Sequence, residues 1–124
     1  MRSLTTAAAA AAALLLAVPV AHASGTGENG PVGIGVIGKG LRVKEVRATL
    51  DGWKPGAKAR ISLWRGGVHQ RWVTGWKSTS SGQMKAYKYE LATWKINKKF
   101  PHNTKLCAEF VHDPDRRACA KILR

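Results

Sequence analysis

The chain is predicted to be all-β: a small antiparallel β-sandwich or barrel with a disulfide-linked C-terminal hairpin and a flexible, glycine-rich N-terminal arm. Three observations predict this. Short apolar runs alternate with polar residues at the period of a strand, and clusters of Gly, Pro, Asn, Asp and Ser separate them. No stretch sustains a helical period over a useful length. The two cysteines fall at matching distances from a turn, as a cross-strand bridge requires.

Taken in order, residues 1–23 read as a secretory leader. Met1-Arg2 supplies a positive start, an Ala/Leu-rich run the apolar core, and Ala21-His22-Ala23 a small-residue cleavage signal. The arm follows, residues 24–40, and holds seven of the thirteen glycines. Within it Gly33-x-Gly35-x-x-Gly38 spells a dinucleotide fingerprint, and Gly33-x4-Gly38-Lys39 most of a phosphate loop. Both patterns work only at a strand-to-helix junction, where helix N–H groups hold the phosphate. Here a strand follows, and Gly40 stands where a phosphate loop needs Ser or Thr, so no nucleotide cofactor is expected. What remains is Val32, Ile34 and Val36 alternating with Gly33 and Gly35, with Ile37 beyond. Such a segment is costly to order alone. It is expected to be a tether, or a strand that orders on adding to a partner, and residues 41–124 are expected to fold without it.

In that domain Leu41 and Val43 share one phase of alternation and Val46, Ala48 and Leu50 the other, which requires a β-bulge near Lys44-Glu45. Asp51-Gly52 and Lys54-Pro55-Gly56 mark turns. Ala59, Ile61 and Leu63 face inward from the next strand, and Gly66-Gly67 ends it as a hairpin. Val68 to Lys77 reads as a strand with Trp72 and Trp76 on one face. Ser78 to Gln83 reads as a flexible turn. Met84 to Ile96 reads as one long bent strand or two short ones, because Tyr87, Tyr89 and Leu91 fall out of phase with Trp94 and Ile96; the aromatics favour strand over helix. After a loop at Asn97–Asn103, Leu106, Ala108 and Phe110 pair back with Ala118, Ala120 and Ile122 about a turn at Asp113-Pro114-Asp115. That register sets Cys107 opposite Cys119.

The disulfide fits an extracellular compartment, and its thirteen-residue loop is worth about 3 kcal/mol on the chain-entropy estimate. No metal is expected, since a zinc site needs more ligands than His112 would add to the cysteines. Without its leader the chain carries twenty basic and seven acidic side chains, a net of +13. A cation of this strength favours acidic protein partners or anionic envelope polymers, and nucleic acid only without sequence preference. Every tryptophan neighbours a base in sequence, and Trp53, Lys54, Arg71 and Lys77 are the candidates for a basic, aromatic surface. Alternation places a charge beside every core aromatic as well, so core packing is the default expectation for each tryptophan. Trp53, in a turn, is the one expected to be most exposed. His69, His102 and His112 with the seven carboxylates could supply a ribonuclease with an acid, a base and an arginine clamp, but their spacing marks no site.

Gly38-Lys39-Gly40-Leu41-Arg42-Val43 after a glycine-rich start, Phe100-Pro101-x2-Thr104-x-Leu106-Cys107-Ala108-Glu109-Phe110, and Cys119-Ala120-Lys121 together resemble a group of small secreted actinobacterial β-sandwich proteins. That group includes the adaptor component of umbrella-shaped antibacterial toxin particles. The resemblance implies a non-catalytic adaptor, without small-molecule substrate, bridging a lectin-like, trypsin-fold subunit to a large toxin chain. Its N-terminal arm, residues Val32 to Ile37 here, would reach into the former. A stand-alone cationic antimicrobial or envelope-binding protein is the alternative, and a small ribonuclease a third.

Overall fold

The computed structural model describes residues 25–124, which form ten strands and no helix. The expected leader lies outside the described residues. One antiparallel sheet, here sheet A, has the order β1 (Gly25–Asn29), β2 (Val32–Lys39), β3 (Arg42–Asp51), β8 (Tyr87–Lys99), β7 (Ser80–Met84). Sheet B has the order β10 (Asp113–Ile122), β9 (Thr104–Phe110), β4 (Lys58–Arg65), β5 (Val68–Trp72), with the short β6 (Lys77–Ser78) also pairing with β4. The two sheets face each other across one apolar core, as in a β-sandwich.

The alternation of each strand sets what enters that core. From sheet A come Val32, Ile34, Val36, Val43, Val46, Ala48, Leu50 and Ala92; from sheet B come Ala59, Ile61, Leu63, Leu106, Ala108, Phe110, Ala118, Ala120 and Ile122. The many alanines leave room for two large rings, Phe110 from β9 and Phe100 from the loop after β8, both fully buried. Phe100 is held there by its amide, which donates to the Leu41 carbonyl at 3.0 Å.

The glycine-rich arm is therefore not an arm. Gly25–Asn29 and Val32–Lys39 form a hairpin about Gly30-Pro31, with φ of 61° at Gly30, a backbone setting that favours glycine. β2 then pairs with β3 along its whole length, from Val32↔Leu50 to Lys39↔Arg42. Val32, Ile34 and Val36 are at most 2% exposed. Burying three such side chains contributes roughly 2 kcal/mol each, enough to offset the entropy cost of the glycines between them. The strand finds its partner in its own chain.

The structure bears out the bulge: the register slips on both sides of Lys44, so that Val43 and Val46 are both fully buried. It bears out the Gly66-Gly67 hairpin, where both glycines have positive φ as a type I′ turn requires. Cys107 pairs with Cys119 in register, Cα atoms 4.0 Å apart, and they form the disulfide. The turn of that hairpin is Val111-His112 rather than Asp113-Pro114-Asp115. A register shift between Asp113 and Ala118 absorbs the difference, placing Pro114, which has no N–H to donate, where the ladder is interrupted.

Two further expectations change. Val68 to Lys77 is not one strand, because the chain bends at Val73-Thr74. There the Ile61 carbonyl accepts from the amides of Val73 and Thr74, and the Thr74 hydroxyl accepts from the Ile61 amide at 3.0 Å. The expected flexible turn at Ser78–Gln83 is largely β7. It is recruited by Glu90, which points inward from β8 and is 1% exposed. Its carboxylate accepts from Ser81 Oγ at 2.6 Å, Thr79 Oγ1 at 2.7 Å and the Lys54 amide at 2.9 Å.

The two sheets meet along one side of the sandwich. Edge strands β1 and β10 touch so closely that a Cβ on Gly27 would lie 1.9 Å from the Cys119 carbonyl oxygen, and Asn29 Nδ2 donates to the Arg117 carbonyl at 3.0 Å. On the opposite side β8 and the Val73-Thr74 bend stand apart.

Candidate functional site

The outward residues of sheet B form a continuous run of rings and cations. β4 presents Arg60, Ser62 and Trp64 outward because Ala59, Ile61 and Leu63 turn inward. β5 sets Trp72 opposite Ser62 and His69 opposite Trp64. His69 then lies between two indoles, with ring centroids 5.3 Å from Trp64 and 4.5 Å from Trp72. The Arg60 guanidinium is clasped between Trp72, 3.4 Å from its ring centroid, and Trp76 at 4.1 Å. At the other end Arg117 of β10 lies over Trp64 at 4.2 Å. Trp64 Nε1 donates to Ser62 Oγ at 2.8 Å, covering that hydroxyl completely.

The ladder is interlocked and half-exposed. Each stacked cation contributes about 0.5–2 kcal/mol. Arg60 also faces Glu109 at 3.5 Å, and this carboxylate is nearly buried. Trp72 and Trp76 nevertheless keep 46% and 39% of their surface exposed, so two large rings are held in place before any partner arrives. Arg60 Nε and His69 Nε2 are shielded and have no hydrogen-bond partner. Glu109, Arg60 and His69 share this face and are the residue types a ribonuclease would use. Here the Glu109 carboxylate is nearly buried against Arg60, and His69 Nε2 is shielded between the indoles.

The residues singled out in the sequence take other places. Val32, Gly33, Ile34, Gly35 and Val36 are buried in β2 and Ile37 half-buried, so the segment offers no free apolar face for insertion into a partner. Trp53 is the most exposed tryptophan, at 51%; its indole donates to the Gly82 carbonyl at 2.9 Å and Lys88, not Lys54, lies over its ring. Arg71 reaches toward Phe100, 5.7 Å from the ring centroid. Lys77 donates to the Thr93 carbonyl and lies near Trp94. These four do not form one patch. Core packing fails as the rule for the tryptophans: three are exposed and Trp64 and Trp94 half-buried. Each indole does meet a cation, but from elsewhere in the chain rather than from its sequence neighbour. The outward phase of Arg60 and the shared phase of Trp72 and Trp76 were readable; that they meet depends on the register of β4 against β5.

A second basic surface lies at the β2–β3 turn. Lys39, Arg42, Lys44 and Lys99 surround an open hollow of about 400 Å³ with no acid among its lining. Among the described residues no group of three or more His, Cys, Asp or Glu could hold a metal ion. No helix among them is long and apolar enough to cross a membrane.

Comparison with protein-family models, with curated proteins and with solved structures finds no match to this chain.

Proposed function

We propose that this is a secreted, non-catalytic protein-binding adaptor, of the kind that links components of an extracellular antibacterial toxin complex. The observation that carries the reading is the pre-ordered aromatic and cationic face of sheet B, centred on Arg60 between Trp72 and Trp76. Tryptophan and arginine dominate binding energy at protein interfaces, and rings already locked in place lose little entropy on docking. The net charge, +13 without the expected leader, would steer an acidic partner toward this face. The sequence resemblance supplies the rest: a lectin-like, trypsin-fold subunit and a large toxin chain as the partners. Contact through an inserted arm gives way to contact through folded surfaces, because β2 belongs to the core.

The basic hollow around Arg42 supports a second reading, a stand-alone cationic protein that binds anionic envelope polymers. One experiment separates the two. Tagged wild-type chain and a Trp72→Ala/Trp76→Ala variant are recovered from culture supernatant of the producing organism, and co-purifying proteins are identified by mass spectrometry. The adaptor reading expects a defined partner set that the variant loses while its melting temperature stays within a few degrees. An unchanged set overturns the role of this face. A monomer with no partner, but with salt-sensitive binding to bacterial envelopes, favours the second reading.

A further inference from the structure

β8 is covered unequally on its two edges. β3 pairs with it as far as Arg42↔Lys99, but β7 pairs only with its first five residues, from Met84↔Tyr87 to Ser80↔Leu91. Beyond Leu91, therefore, one edge of β8 has no strand beside it among the described residues. The Thr93 carbonyl points out along that edge, where the Lys77 ammonium donates to it. In an antiparallel strand the N–H and C=O of one residue point to the same side, and every second residue repeats the direction. The Thr93 amide and both backbone groups of Lys95 accordingly face the same open edge.

Across from the edge stands the Val73-Thr74 bend, and between them lies an open groove of about 560 Å³. Val73, Trp94 and Ile96 give it an apolar floor that continues into the core; Lys77, Lys95 and Lys98 stand around it, and no carboxylate lines it. We propose that this groove receives one extended acidic peptide segment of a partner protein, added as a further strand to the open edge of β8. The assignment rests on reading the chain as a protein-binding module.

Three features select that occupant. Unpaired backbone groups in strand register are matched by a polypeptide main chain; a phosphate or sugar polymer has no such ladder to offer. The lining sets the peptide's pattern, since apolar side chains would meet the Val73–Trp94–Ile96 floor and carboxylates in the other phase would meet the lysines. A second copy of this chain is disfavoured, because it would bring the same strong positive charge and the same lysines. Lys77 fits a guard of the edge: its ammonium occupies the Thr93 carbonyl in the free protein and blocks indiscriminate strand pairing, and an incoming carboxylate would draw it away.

The test uses the folded chain from Ser24 onward and fluorescein-labelled heptapeptides of alternating Glu and Val, with a block-ordered peptide of the same composition and polyglutamate as comparators. Anisotropy measures binding, and amide chemical shifts locate it. The alternating peptide should bind best and perturb Thr93 and Lys95. Lys95→Pro removes the amide donor that alternation places on the open edge, where proline is tolerated. It should lower affinity tenfold or more, against a smaller loss for Lys95→Ala. Should the proline variant not fold, Lys77→Glu/Lys98→Glu should reject the Glu/Val peptide and accept its Lys/Val counterpart. Equal binding of all acidic probes, indifferent to Lys95→Pro, overturns the proposal in favour of bulk charge, and so does binding of none. If the culture partners described above still co-purify with Lys95→Pro, the groove assignment alone falls; if wild type recovers none, the adaptor reading falls with it.

Discussion

Glu90 is a carboxylate 1% exposed that makes no ion pair among the described residues. Burial pushes its pKa up, but hydrogen bonds from Ser81, Thr79 and the Lys54 amide outweigh this and hold it below the ordinary value. Tyr87 works in the opposite sense: burial first, then donation to Asp51 Oδ1 at 2.5 Å, raises its phenol above the ordinary value of 10.0. The signs follow. A lowered acid pKa means the native state holds fewer protons than the unfolded chain, so the Glu90 contribution is complete above the ordinary glutamate value and is lost as pH falls through the folded one. A raised tyrosine pKa means stability that is complete below pH 10 and declines above it. Urea melts across pH should therefore fall away at both ends. Glu90→Gln should cost about 2 kcal/mol at neutral pH and flatten the acid side of the curve, leaving the alkaline side unchanged. Period-two alternation puts Glu90 in the inward phase with Trp94 and Ile96, yet its charge hides that placement in the sequence. Only the packed fold shows that a run of serines and threonines supplies the hydroxyls that make it bearable.

At the scale of elements, the N-terminal hairpin is the largest departure from the sequence reading. The alternation of Val32, Ile34 and Val36 marked a strand correctly, but nothing local says whether its partner is another protein or β3 twenty residues away or less. Glycine density suggested a tether. The same glycines serve close approach: β1 lies against β10 because Gly27 has no Cβ. Gly27→Ala should force the two edge strands apart, costing roughly 2 kcal/mol or about 10 °C in melting temperature, measured by calorimetry. By contrast, the bulge at Lys44 and the inward face of β4 were legible, since each depends on alternation within one run. The C-terminal hairpin was legible in its body and not in its turn, because two cysteines fix a register but not where the chain takes up the slack.

For the whole molecule, charge is the dominant fact. Five of the seven acids are engaged internally: Glu45, Glu109 and Asp113 in ion pairs, and Asp51 and Glu90 as acceptors from hydroxyls. Most of the twenty Lys and Arg side chains among the described residues make no ion pair there, and their mutual repulsion opposes folding. Raising ionic strength from about 0.01 M to 0.15 M shortens the screening length from about 30 Å to 8 Å and should raise the melting temperature of the free protein. A fall would show that specific ion pairs outweigh the repulsion. The same charge makes an acidic partner a stabiliser as well as a ligand, since it would relieve the repulsion it binds to.

The all-β class, the phases of the core strands, the Gly66-Gly67 turn and the Cys107–Cys119 pairing were determined by the sequence alone, because each follows from alternation and turn chemistry within a hairpin or less. The tertiary structure decided which faces are covered and which strands are neighbours. It drew the glycine-rich segment into sheet A, left Trp53, Trp72 and Trp76 exposed, brought Arg60 between Trp72 and Trp76, and ended β7 short of the open edge of β8. Those outcomes depend on contacts between residues far apart in the chain, and a two-residue period carries no information about them.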